Sequence, residues 1–109
     1  MIQKNSDNQP DDEELFEERT EEEILATIDE LTDKVWYNRH QVAKEQIEAG
    51  LEDVDPGIWK QALAKAKEFE DKYGLENLGP YDDFEWGMLS GKLSALRWLI
   101  GFEWDMLDT

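Results

Sequence analysis

The 109-residue sequence has no cysteine, one histidine, three prolines and no long hydrophobic run. Without cysteine the chain can form neither a disulfide framework nor a thiolate metal site, so its stability must come from packing. No segment offers about eighteen uninterrupted apolar residues for a membrane span, and the N-terminus lacks the apolar run of a signal peptide. We therefore expect a cytoplasmic protein.

Basic residues are also scarce, because 11 Lys and Arg stand against 28 Asp and Glu, a formal net charge of -17. Nucleic-acid backbones and anionic membranes repel such a surface, so direct binding to either is not expected. Basic proteins are the natural partners. In the strongest form of this hypothesis the chain is a DNA mimic, whose carboxylates replace phosphates on a nucleic-acid-binding protein. The alternative is that the charge only keeps a small protein soluble.

Strand patterns are absent and helical spacing recurs along the sequence, which predicts an all-α fold of three helices. The helices are expected at about residues 21–49, 56–73 and 83–100. They would form a single helical domain over residues 20–109, preceded by a disordered acidic arm at residues 1–19.

Capping signals mark the starts of the first and third helices. Thr20 followed by Glu23 has the pattern of a capping box, and Asp82 followed by Glu85 repeats it. A first helix over residues 21–49 would be about 43 Å long, which is long for so small a domain. A break near Tyr37–His40, giving a four-helix bundle, is therefore a second possibility.

The segment from residue 82 to residue 100 is apolar on nearly every side, which predicts that it is the centre of the fold. Its two apolar rows at helical spacing are Trp86, Leu89, Leu93, Leu96 and Ile100, and Phe84, Met88, Ala95 and Leu99. Such a helix requires neighbours on two sides. The residues expected to be largely buried are Trp86, Leu93, Leu96 and Trp98, faced by Trp59 and Phe69 from the second helix.

A third row of the same helix consists of small residues, Gly87, Gly91 and Ser94. Two glycines inside a helix cost about 1 kcal/mol each relative to alanine. A close crossing with another helix, from the same chain or from a second copy, would offset that cost. The row is therefore a candidate binding surface, and in a structural homodimer it would form the seam.

The tail at residues 102–109 alternates aromatic or apolar residues with acids. We expect it to fold back, so that Trp104 and Leu107 cap the core. The alternative is an exposed aromatic and acidic peptide that binds in a partner's groove. Trp104 and Leu107 therefore join the small-residue row as candidate partner-binding residues.

Catalytic residues are not predicted. His40 is the only imidazole and no cysteine nucleophile exists, so the sequence offers no basis for a nucleophilic triad. We expect His40 to be a polar residue beside a bend in the first helix. No cofactor is expected either.

Two carboxylate pairs suggest an alternative metal site. Glu45 and Glu48 lie one turn apart on the first helix, and Glu68 and Asp71 lie one turn apart on the second. This spacing resembles the ExxE and ExxD motifs of the all-helical MazG-type nucleotide pyrophosphohydrolases. The resemblance covers these four residues and implies that they would hold Mg²⁺ and that the chain would hydrolyse a nucleotide.

A second resemblance covers the C-terminal third, GPYDDFEWGMLSGKLSALRWLIGFEWDMLDT. This region, above all GKLSALRW and EWDMLDT, resembles small uncharacterised bacterial proteins, which implies a bacterial, soluble, helical protein without a known activity. The function we predict is a non-catalytic protein-binding or regulatory module that engages a basic partner. The Mg-dependent hydrolase and the structural homodimer are its alternatives.

Overall fold

A computed structural model describes residues 17–104, and this part of the chain contains three α-helices and no strand. The elements are α1 at Glu21–Glu48, α2 at Pro56–Tyr73, a 3₁₀ turn at Leu75–Asn77 and α3 at Asp83–Leu99. The predicted all-α, three-helix fold is confirmed. None of the helices described is both long and apolar enough to cross a bilayer. The predicted arm, apart from its last three residues, and Leu107 lie outside the described residues.

Side-chain caps fix the starts of α1 and α3 where the sequence predicts them. Thr20 Oγ1 accepts a hydrogen bond from the Glu23 backbone N–H at 3.1 Å, and Glu23 Oε1 accepts one from the Thr20 N–H at 3.0 Å. Asp82 and Glu85 make the same reciprocal pair at 2.7 and 3.0 Å. These bonds satisfy backbone donors that have no partner inside a helix.

α1 is continuous through Tyr37–His40, so the alternative of a break at this point is wrong. The helix has 28 residues and is about 42 Å long. Its length follows from the arrangement of the other two helices, because α2 packs along its C-terminal half and α3 along its N-terminal half. α1 is therefore long enough for α2 and α3 to pack against it one after the other.

The central helix is α1, and the prediction that residues 82–100 form the centre is wrong. Within the described residues, no Cα atom of α2 lies within 8 Å of one in α3, whereas both helices contact α1. Tyr37 bonds Glu70, and Tyr73 bonds Asp33, so α2 runs antiparallel to α1. The helix α3 therefore has one neighbour instead of two.

The core consists of two clusters along α1. The first lies between α1 and α3 and contains Ile28, Leu31, Val35, Leu89 and Leu93, edged by Ile24, Tyr81, Trp86 and Leu96. The second joins α1, α2 and the 3₁₀ turn and contains Tyr37, Ala66 and Leu78, edged by Trp36, Phe69 and Tyr73. Each cluster is small, and α1 contributes to both.

The buried residues predicted for α3 are only partly correct. Leu93 is fully buried, whereas Trp86 and Leu96 are half-buried at the edge of the first cluster. Trp98 is 53% exposed, so its predicted burial is wrong. The prediction that Trp59 and Phe69 face α3 is also wrong. Trp59 stacks on His40 and Phe69 packs on Trp36, so both contact α1.

Gly87 and Gly91 provide a test of the exposed side of α3. A Cβ atom built at either position meets no atom within 4 Å, and neither residue has a positive φ. Alanine therefore fits the helix and restricts the unfolded chain. We expect Gly91→Ala to raise the free energy of unfolding by about 1 kcal/mol and the melting temperature by roughly 4–8 °C, measured by circular dichroism in dilute solution.

The control for this substitution is Gly50→Ala. Gly50 also has open space around it, but its φ is +76°. A Cβ atom strains that conformation, so this variant is expected to melt at a lower temperature than the wild type. A decrease in melting temperature for Gly91→Ala as well would mean that the glycine lies against another helix in the dilute protein.

Candidate functional site

The structure does not bring together the four carboxylates of the alternative metal site, Glu45, Glu48, Glu68 and Asp71. Glu70 bonds Tyr37 across the helix pair, and Glu45 lies eight positions further along α1, about 12 Å along the axis. All four side chains are exposed, and Asp71 pairs with Lys67 at 3.2 Å. In residues 17–104 no group of three or more His, Asp or Glu side chains is placed to hold a metal ion. The arrangement that the resemblance to the hydrolases implies is therefore not formed.

His40 belongs to an aromatic stack, and its predicted position beside a helix bend is wrong. Its ring stacks on Trp36 and on Trp59, with ring centroids 5.0 Å apart in both pairs. The residue is 6% exposed. Burial and the charge of Lys44 lower the pKa of His40, which favours the uncharged imidazole. A neutral ring stacked in this way serves the contact between α1 and α2.

Tyrosine hydroxyls tie α2 to α1 through carboxylates. Tyr37 Oη donates to Glu70 Oε2 at 2.7 Å and accepts a bond from Gln41 Nε2 at 3.0 Å. Tyr73 Oη donates to Asp33 Oδ2 at 2.7 Å. Burial and the bond to Glu70 raise the pKa of Tyr37 to about 12, so its hydroxyl keeps the proton that it donates. These groups satisfy one another across the helix pair.

Two open grooves flank α1. One, of about 710 Å³, lies between the C-terminal half of α1 and the connection at residues 75–81, and Tyr37, Gln41 and Glu45 line it. The other, of about 360 Å³, lies over the stack of His40 and Trp59. Within residues 17–104, neither groove brings together three or more His, Asp or Glu side chains that could hold a metal ion.

The side of α3 that faces away from α1 is apolar and exposed, and we call it the outer face. It consists of Phe84, Met88, Gly91, Ala95 and Trp98, spaced alternately by four and three residues. Phe84 is 73% exposed, Met88 47% and Trp98 53%. The sequence prediction assigned Phe84 and Met88 to a second core row. The row remains uncovered because α2 lies further along α1 and does not reach α3.

Of the small-residue row, Gly91 belongs to the outer face, and Gly87 and Ser94 lie along one of its edges. Gly87 and Gly91 are exposed, and Ser94 is half-buried. Because a Cβ atom at either glycine would meet no atom within 4 Å, the predicted close crossing with another helix of the same chain is wrong. A crossing with a helix of a second molecule stays a prediction.

Trp104 lies at the end of the outer face and does not cap the core as predicted. It is 61% exposed, and its ring packs edge-on against Trp98 with centroids 5.5 Å apart. The chain turns there because the Phe102 N–H bonds the Arg97 carbonyl at 2.9 Å. The two tryptophans therefore extend the apolar surface beyond the C-terminus of α3.

Comparison of the chain with known protein families, with curated proteins and with solved structures found no match.

Proposed function

We propose that this chain is a non-catalytic protein-binding module and that its binding surface is the outer face of α3. The observation that supports the proposal is the exposure of Phe84, Met88 and Trp98 on one side of a capped helix. Contiguous apolar patches on soluble proteins are commonly interaction sites. A face with apolar residues at helical spacing is the surface with which amphipathic helices pack against a partner.

The shape of the outer face favours a helix as the bound element. Gly91 and Ala95 form a shallow notch between the larger side chains of Met88 and Trp98. Small residues let the backbone of a second helix approach closely, and larger side chains on either side fill the remaining space. The module therefore needs no groove of its own, because it supplies one helix of a helix pair.

The side chains with the most distinctive chemistry are engaged within the fold. His40 is stacked on two tryptophans, and the Tyr37 and Tyr73 hydroxyls are bonded to carboxylates of the facing helix. These contacts account for their position without a substrate. They support a binding role over a catalytic one.

The acidity of the chain bears on which proteins reach the outer face. A net charge of -17 attracts basic proteins and repels nucleic acids. Binding to a basic nucleic-acid-binding protein, as by a DNA mimic, stays a prediction that rests on charge alone. Its signature is an affinity that falls steeply as salt is raised, whereas apolar contacts persist.

Photo-crosslinking tests the proposal. We expect p-benzoylphenylalanine in place of Phe84 to form a covalent protein adduct on illumination in cells of the source organism. The adduct arises because the side chain at this position is 73% exposed in the free chain and would be covered in the complex. The measurement is a mass shift of the chain on a denaturing gel, with the partner identified by mass spectrometry.

The matched control is the same crosslinker in place of Ile58, which is 63% exposed on α2, away from the outer face. It should give no adduct, or an adduct at a much lower yield. Equal yields at the two positions, or no protein adduct at Phe84, would remove the outer face as the binding surface.

A further inference from the structure

We propose that the occupant of the outer face is the outer face of a second copy, packed antiparallel about a two-fold axis that passes between Leu89 and Ser90. This inference rests on the proposed binding role of α3. It adds the identity of the partner and the register of the two helices. The argument comes from side-chain size on the outer face and from the charges along its edges.

Size complementarity selects the register. In the proposed pairing Phe84 lies opposite Ala95 of the second copy, and Met88 lies opposite Gly91 of the second copy. Large side chains therefore meet small ones in these four layers, and Trp98 lies beyond the start of the second copy's α3. Sliding one helix by a heptad would place Met88 opposite Trp98 and Gly91 opposite Ala95, which crowds one layer and leaves a void in the next.

Charge complementarity supports the same register. Glu85 and Lys92 are seven residues apart and lie along the same edge of the outer face. In an antiparallel pair of helices the same edges of the two copies meet, so Glu85 lies beside Lys92 of the second copy. The two-fold axis repeats this pair, which gives two ion pairs for each dimer.

Both charged groups are available for these contacts. Lys92 is exposed and forms no ion pair with the residues that the structure describes. Glu85 uses Oε1 to accept the Asp82 N–H in the capping box, and its second oxygen is free. Among residues 17–104, no side chain pairs with Lys92 or with the second oxygen of Glu85.

The opposite edge of the outer face carries Gly87 and Ser94. In the same register Gly87 lies beside Ser94 of the second copy, and the two-fold axis repeats this pair. Both pairs along this edge therefore consist of small side chains. The helix axes can then approach to about 8 Å, the short end of the usual range. This assigns the two helical glycines a role that the fold of one chain does not give them, since both face open space.

The size of the interface and the net charge of each copy also determine the expected affinity of the dimer. One face of a 17-residue helix is smaller than the roughly 800 Å² that each partner of a stable complex usually buries, so we expect a Kd in the micromolar range. Each copy has a net charge of -17, so the two copies repel each other. Physiological salt screens this repulsion over a distance of about 8 Å. Dimerisation should therefore strengthen as salt rises, whereas binding to a basic protein weakens.

Charge reversal tests the register in the full chain. We expect Glu85→Lys and Lys92→Glu each to raise the dimer Kd about tenfold, because two attractive pairs become two repulsive ones. The double variant Glu85→Lys/Lys92→Glu restores the pairs and should regain most of the affinity. An equal mixture of the two single variants should form a mixed dimer, since that pairing also contains two ion pairs. The measurement is sedimentation equilibrium at fixed ionic strength, with circular dichroism to show that each variant is folded.

The outcomes separate the two proposals. A wild-type chain that sediments as a 12.8 kDa monomer up to about 1 mM overturns the second-copy proposal. So does a dimer whose Kd is indifferent to both charge reversals and to their combination. Crosslinking at Phe84 to a different protein, with no adduct between two copies, also overturns it but keeps the outer face as a binding surface. Equal adduct yields at Phe84 and Ile58, or no protein adduct at Phe84, remove both.

Discussion

Replacing Leu93 by alanine is expected to lower the free energy of unfolding by about 2–5 kcal/mol, the usual cost of deleting a buried leucine side chain. Leu93 is 0% exposed and lies in the cluster of α1 and α3 beside Leu31 and Val35. The cluster is small, so few neighbours can move to fill the cavity. Because small domains have a total stability of about 5–15 kcal/mol, this single change can leave α3 detached from α1. The measurement is urea denaturation followed by circular dichroism.

The matched control is Leu99→Ala, on the same helix, where the leucine is 56% exposed. We expect its free energy of unfolding to stay within about 0.5 kcal/mol of the wild type in dilute solution. The contrast tests the orientation of α3 directly. Equal losses for the two variants would mean that both sides of α3 are covered and that the outer face is not exposed.

The helix starts were predictable because their signals are local. The Thr20 and Asp82 caps each need only the residue three positions later, and that spacing is visible in the sequence. The bounds of α2 follow in the same way from Asp55 before Pro56 and from Gly74 after the last helical residue. Such signals do not depend on which helices later pack together.

The central position of α1 was not predicted, because periodicity shows which sides of a helix are apolar and not which sides become covered. α3 has two apolar rows, and only the row with Leu89 and Leu93 meets α1. The length of α1 was the available signal. A helix of 28 residues beside helices of 18 and 17 residues is long enough to hold both in tandem. We used that length only to raise a break near Tyr37–His40 as an alternative.

The candidate binding surface could be found in part from the sequence. Gly87 and Gly91 indicated a contact surface on α3, because glycine inside a helix lowers its stability and a close contact would offset that loss. Phe84 and Met88 were assigned to the core, since large apolar residues are more often buried than exposed. Their exposure depends on where α2 ends relative to α3, which is a tertiary property.

The tyrosine bonds between α1 and α2 have no local signal, because their partners are 33 and 40 residues apart in sequence. Only the antiparallel register of the two helices brings Tyr37 to Glu70 and Tyr73 to Asp33. The stack of His40 on Trp59 occurs in the same register. Once it is known, both bonds can be tested through their effect on stability at high pH.

Raising the pH from 9 to 12 is expected to destabilise the fold through these two tyrosines. An unfolded tyrosine titrates near pH 10, whereas the pKa of Tyr37 is raised to about 12 by burial and by Glu70. Burial and Asp33 also raise the pKa of Tyr73. Between pH 10 and 12 the unfolded chain loses protons that the folded chain keeps. The stabilisation is therefore complete below pH 10 and is lost as the pH approaches 12.

The double variant Tyr37→Phe/Tyr73→Phe is expected to lose about 3–6 kcal/mol of stability at pH 7, since each hydrogen bond to a carboxylate contributes roughly 1.5–3 kcal/mol. It should also show a flatter decline in stability above pH 10 than the wild type, whose slope reaches at most about 1.4 kcal/mol per pH unit for each tyrosine. Urea denaturation at a series of pH values measures both. Tyr81→Phe is the comparison at pH 7, because among residues 17–104 its hydroxyl bonds the Asn77 carbonyl at 3.3 Å and no carboxylate. Parallel pH curves for the wild type and the double variant would show that the Tyr37 and Tyr73 bonds do not hold α2 on α1.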